Sequence, residues 1–236
     1  MKTIGLVGGM SWVSTVDYYK LINQFVGERL GGLNSAKIVL FSVNFAEIDY
    51  SISKGELEDA YPVIREAAGA VKNAGADFLL LCANTMHRFA SMVEEEFSLP
   101  VIHIGEETAK EIKSQQLKKV GLLGTKYTME MDFYHSKLKS HGIESMVPEK
   151  YNRMYIHDAI FNEMLHEQFK PETKKRFLEI IDALAAGGAE GIILGCTEIP
   201  MLVKQSDTAL PLFDTTRIHA KAAVDYALTR TSHQVP

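Results

Sequence analysis

A strand motif written twice limits what this chain can become more than any other feature. Gly75-Ala76-Asp77, followed by Phe78-Leu79-Leu80-Leu81-Cys82-Ala83-Asn84-Thr85, returns as Gly188-Ala189-Glu190, followed by Gly191-Ile192-Ile193-Leu194-Gly195-Cys196-Thr197-Glu198. In each copy a glycine suited to closing a helix and an acidic residue lead into a short apolar run, and small or hydroxyl-bearing residues then open the next helix. A buried parallel strand delivering its C-terminal end to a site reads this way. Gly75 falls on Gly188 at an offset of 113 residues, which pairs Ala83 with Cys196 and Cys82 with Gly195. The two cysteines are therefore one residue out of step. A one-residue shift on a regular strand reverses the face, so Cys82 is expected to point away from a ligand unless a bulge turns it back.

Two further anchors repeat. Ile4-Gly5-Leu6-Val7-Gly8-Gly9 is echoed by Val120-Gly121-Leu122-Leu123-Gly124-Thr125 at an offset of 116, and Leu99-Pro100-Val101-Ile102 by Leu210-Pro211-Leu212-Phe213 at 111. Strands are expected at Thr3–Val7, Lys37–Val43, Asp77–Leu81, Leu99–Ile104, Lys119–Thr125, Ile143–Val147, Gly188–Gly195 and Leu210–Phe213. Helices are expected from Thr15 to about Leu30, over Glu56–Ala74, from Asn84 to about Phe97, and from Glu106 to about Ser114. More follow from about Glu130 to Ser140, near Asn152–His166, over Pro171–Ala186, and after Thr216, while Asn44–Gly55 reads as a polar loop. Ser14 with Asp17 forms a candidate capping box. Regular alternation of strand and helix argues for parallel sheets covered by helices on both faces.

The expected fold class is α/β: two similar parallel-sheet α/β domains related by pseudo-twofold symmetry, with the site in the cleft between them. The first would comprise residues 1–100 plus 212–236, its C-terminal helix returning to it, and the second residues 101–211. A chain of 236 residues can bury a core in each half. Equivalent strand ends would then approach one substrate from opposite sides, a geometry suited to taking a proton from carbon on one side and returning it on the other.

Composition narrows the partners. A net charge of −5 without a basic cluster gives no electrostatic reason to expect nucleic acid or a membrane surface, and no apolar run approaches the length that spans a bilayer. The opening Met1–Gly9 reads as a first strand rather than a signal peptide, so a cytoplasmic protein is expected. Gly5-x-x-Gly8-Gly9 lacks dinucleotide-loop spacing, and the P-loop lysine is absent. Two cysteines without CxxC or histidine spacing suggest free thiols rather than disulfides or a metal.

Cys196 is the strongest candidate for a reactive group. It stands at a strand-to-helix junction, where backbone N–H donors are expected to lower its pKa and favour the thiolate. Gly8-Gly9-Met10-Ser11-Trp12, Asn84-Thr85-Met86-His87, Leu123-Gly124-Thr125-x-Tyr127-Thr128-Met129 and Gly195-Cys196-Thr197-Glu198 together resemble the aspartate/glutamate racemase family, over essentially the whole length. The resemblance implies a cofactor-independent (PLP-independent) isomerase that racemises amino acids, without a metal, and a cytoplasmic homodimer. It implies Cys196 as a catalytic acid/base and Asn84, Thr85 and Thr197 as polar groups holding the substrate. Met10, Ser11 and Thr125 would line the same site, beside Ala83 and Glu198. Glu198 has two further readings, an acid/base or orienter of Cys196 and a first-turn acid favoured by the helix dipole.

Two departures matter. The family places its first catalytic cysteine directly before the asparagine, where this chain has Ala83, so Cys82 stands only as a weak catalytic candidate. Aspartate-specific members carry an arginine in the loop after the second strand, whereas residues 44–53 here contain no basic residue, which leaves a broad or neutral amino-acid substrate open. The alternatives are a single-cysteine isomerase or decarboxylase of the same superfamily, or a catalytically silent protein binding a small carboxylate.

Overall fold

The computed structural model describes residues 1–54 and 56–229. Its contacts define two units, residues 1–103 with the chain from His219 onward, and Ile104–Ile218. The first unit contains β1 (Ile4–Gly8), α1 (Trp12–Leu30), β2 (Ile38–Ser42), α2 (Phe45–Lys54), α3 (Tyr61–Asn73), β3 (Phe78–Leu81) and α4 (Ala90–Phe97). The second holds α5 (Ile104–Ser114), β4 (Lys119–Gly124), α6 (Lys126–Glu130), α7 (Asp132–Ser140), β5 (Glu144–Met146) and α8 (Lys150–Asn162). It continues with α9 (Pro171–Ala186), β6 (Ile192–Gly195), α10 (Ile199–Leu202) and β7 (Leu212–Asp214), and the boundary falls within α11 (Thr215–Leu228). Among the described residues no helix is long and apolar enough to cross a membrane.

Both sheets are parallel, ordered β2-β1-β3 and β5-β4-β6-β7. Their central pairs repeat one register. Gly5 lies opposite Leu79 in the first and Gly121 opposite Ile192 in the second, so the structural offset between β3 and β6 is again 113 residues. In the first unit Ile4, Leu6, Phe78, Leu80 and Cys82 point to the face covered by α1 and α11, where Tyr18, Ile22 and Val224 complete the core. The opposite face meets α3, and Gly5 is the point of closest approach. A methyl group added there would overlap Val71 of α3 and come 2.9 Å from the Phe78 carbonyl oxygen. Gly121 repeats the device beneath α9, where an added Cβ would stand 2.9 Å from Leu184.

The motif's leading residues also act alike in the two units. Gly75 and Gly188 close α3 and α9 with φ of 91° and 93°, a left-handed conformation glycine adopts without steric cost. The acids that follow bind the start of the neighbouring strand: Asp77 Oδ2 accepts from Thr3 N at 2.6 Å, and Glu190 Oε2 from Lys118 N at 2.6 Å.

Several expected elements differ in detail. The helix after β1 begins at Trp12, and its cap is Ser11, whose Oγ accepts from Ser14 N, rather than Ser14 itself. The expected polar loop after β2 is mostly the helix α2, because Ile48 and Ile52 stand four apart and bury one face. Leu99–Ile104 forms only an isolated bridge, Leu79 with Val101, since Pro100 has no N–H to donate and α5 begins at Ile104. The helix expected from Glu130 is divided by Met131, whose ψ of 148° is extended. β7 pairs with β6 in the second sheet, and the boundary between the units by contacts falls at His219, inside α11.

Overpacking at the Gly5 approach would strain backbone as well as side chains. Gly5→Ala should destabilise the protein by about 1–3 kcal/mol, measured by urea unfolding.

Candidate active site

Each unit gathers candidate residues at the C-terminal edge of its own sheet. In the first unit β1 runs into Gly9, Met10 and Ser11, and its partner β3 into Cys82, Ala83, Asn84 and Thr85, so one edge collects these residues. Gly9, with φ of 91°, donates its N–H to Thr15 Oγ1 at 2.8 Å, and that hydroxyl donates to the Ser11 carbonyl oxygen at 3.0 Å. Met10, Ser11, Asn84 and Thr85 are buried, and Ala83 is half-buried. In the second unit β4 runs into Thr125, which caps α6 by accepting from Thr128 N at 3.3 Å, and β6 runs into Cys196, Thr197 and Glu198. By ladder register Ala83 is the counterpart of Cys196 and Cys82 that of Gly195.

The two free thiols have different surroundings. Cys82 is 0% exposed in the α1/α11 core, and burial alone pushes its thiol far above the ordinary range. Cys196 is 9% exposed and donates its S–H to Glu198 Oε2 at 2.9 Å. The same oxygen accepts from the Thr197 hydroxyl at 2.7 Å, which fixes the carboxylate beside the sulfur. Burial and then the Glu198 charge hold the Cys196 thiol well above its usual value, and the backbone N–H groups of Glu198 and Thr197 oppose them without reversing the shift. The expectation of a lowered pKa is thus corrected. The helix following Cys196 is a single turn, α10, and a carboxylate occupies the place where a helix dipole had been expected to act.

Behind the first unit's edge lies a histidine cluster that the sequence did not reveal, because its members are far apart in the chain. His219 Nε2 lies 2.7 Å from the Ile102 carbonyl oxygen, which can only accept, so Nε2 carries the proton and Nδ1 accepts from the Tyr18 hydroxyl at 2.8 Å. His87 Nδ1 donates to the Ala83 carbonyl oxygen at 2.9 Å, and its ring meets His103 and His219 at 4.9 and 5.1 Å. Burial lowers His87 to about 4 and His219 well below the usual range, so both are neutral at physiological pH. His87 therefore packs and holds Ala83 in place. A hydroxyl at Thr216, on the second unit's edge, was also missed, because nothing in its spacing sets it apart from an ordinary helix-start threonine.

Two repeated parallel α/β units carry polar strand ends, and one of those ends bears a thiol hydrogen-bonded to a carboxylate. Residues 7–223 match the family described as Asp/Glu/Hydantoin racemase, and the chain belongs to that family. It is 27% identical to the broad specificity amino-acid racemase RacX of Bacillus subtilis (strain 168), over 97% of this chain and 100% of that protein. It is 26% identical to the glutamate racemase of Aquifex aeolicus (strain VF5), over 80% and 72%. Among solved structures, an aspartate racemase homologue from Pyrococcus horikoshii OT3 superposes with a TM-score of 0.82 at 33% identity, covering 96% of this chain and 99% of that one.

The neutral histidines set the response to acid. Each has a folded pKa below its unfolded value, so between about pH 6.5 and 4 the unfolded chain binds more protons and stability falls as pH falls. The melting temperature should drop through that window, and His87→Phe should make the drop shallower.

Proposed function

We propose that this protein is a cofactor-independent amino-acid racemase in which Cys196 moves the α-proton and Glu198 manages the thiol's own proton. One contact carries the reading, the Cys196 S–H donating to Glu198 Oε2 at 2.9 Å. Because burial and Glu198 together disfavour the thiolate, the sulfur becomes basic only when its proton passes to that carboxylate. The S–H bond breaks, the Glu198 O–H bond forms, and the thiolate then takes the hydrogen from Cα, leaving a carbanion. Water protonates the carbanion on its other side, because the Ala83 end carries no acid, which gives the opposite enantiomer, and Glu198 returns its proton to solvent while Cys196 keeps the one taken from Cα. Asn84, Thr85 and Thr197 are assigned to the substrate's α-carboxylate, with Met10, Ser11 and Thr125 as further contacts. Family membership supports the reaction class, the relatives' names support an amino-acid substrate, and the name of the Bacillus subtilis relative supports broad specificity. The family resemblance also implies a cytoplasmic homodimer.

A second reading follows from Ala83. The counterpart of Cys196 by ladder register carries no exchangeable proton, which favours chemistry that a single thiol completes, an isomerisation or a decarboxylation. Solvent exchange in heavy water separates the possibilities. Cα–H washout with both enantiomers formed supports the racemase, washout with retained configuration supports one-sided chemistry, and no washout from any amino acid leaves the decarboxylase or a silent binder. Cys196→Ser should abolish exchange, and persistence of exchange would remove the thiol from the mechanism. Glu198→Gln should slow exchange by about 100-fold, yet it should speed alkylation of Cys196 at a given pH, because the carboxylate that raises the thiol is gone. Peptide mapping by mass spectrometry assigns the alkylated cysteine.

A further inference from the structure

Thr216 is 4% exposed, and its Oγ1 has no hydrogen-bond partner. A buried hydroxyl left unpaired is costly, so one that persists beyond a strand end calls for an incoming partner. Thr216 is the second residue of α11, immediately beyond β7. Asp214 of β7 pairs with Leu194 of β6, so α11, which carries Thr216, and the turn bearing Cys196 leave neighbouring strands of one sheet, about 4.8 Å apart. The Thr215 hydroxyl donates to the Leu194 carbonyl oxygen at 3.0 Å and ties the two ends together.

The charges on this edge select what can be received. Asp214 Oδ1 accepts from Arg217 N at 3.1 Å, so a carboxylate already serves the start of α11. Glu198, 4% exposed, adds a second carboxylate at the end of the neighbouring strand. An arriving anion would be repelled by both, whereas a cation with N–H donors would be attracted by both and would satisfy the hydroxyl.

We propose that Thr216 Oγ1, at the sheet edge that also carries the carboxylates of Glu198 and Asp214, receives the α-ammonium group of the amino-acid substrate. This rests on the racemase reading for the identity of the ligand and adds a binding role to a residue outside the motifs.

Calorimetric titration tests the subsite without requiring turnover. Glutamate and alanine are compared with their deamino counterparts, glutarate and propionate, on the unaltered protein, Thr216→Val and Thr216→Ser. Thr216→Val should weaken the amino acids about tenfold and leave the deamino acids within about twofold, and Thr216→Ser should bind as the unaltered protein does. Should the valine variant fail to fold, Thr216→Ala against Thr216→Ser makes the same comparison. Equal weakening of amino and deamino acids, or no change in either, would overturn the assignment. So would an unaltered protein that binds neither amino acid more tightly than its deamino counterpart. Amino-selective binding without solvent exchange would sink the racemase reading and leave the subsite standing; exchange with a silent Thr216→Val would do the reverse.

Discussion

The register of one parallel ladder in each sheet governs which side chains reach the chemically useful edge. Gly5 faces Leu79 and Gly121 faces Ile192, and each glycine permits a helix to lie close against its sheet. Because strand side chains alternate, these rungs determine every position that follows. Cys82 continues the series Phe78 and Leu80 into the α1/α11 core. Ala83, one residue on, is the counterpart of Cys196. A chain with two cysteines thus presents a thiol at only one of two equivalent strand ends.

The two edges have diverged in charge as well. At the first, the groups behind the strand end are neutral: His87 and His219 are held uncharged by burial and spend their protons on the carbonyl oxygens of Ala83 and Ile102. At the second, Glu198 is buried against sulfur and hydroxyl, and burial together with its charge keeps the thiol protonated. The two units share one scaffold and differ in the electrostatics of their edges.

Where the chain declares itself, it does so through repeated local signals. Gly75 and Gly188 end their helices, Asp77 and Glu190 anchor the neighbouring strands, and Pro171–Ala186 forms its helix as expected. Signals that depend on partners misled. Asn44–Gly55 looked polar because the burial of Ile48 and Ile52 is visible only once the rest of the unit is in place. Pro100 sat in an apolar run that reads as a strand, yet without its N–H that run makes a single bridge. Ser11 took the cap that Ser14 seemed to offer, since Ser14 lies inside the first turn of α1.

The amino-acid order alone determined the doubled α/β plan, the one-residue slip between the cysteines, and Cys196 as the thiol to watch, because helix and strand periodicity are properties of neighbouring residues. Tertiary structure alone decided the state of that thiol. Whether a sulfur meets N–H donors or a carboxylate depends on how a turn folds back, and at Cys196 burial raises the thiol first and the Glu198 carboxylate, two residues on, adds to it. The histidine cluster joining Tyr18, His87 and His219 and the lone hydroxyl of Thr216 belong to the same category, since long-range packing brings their surroundings together.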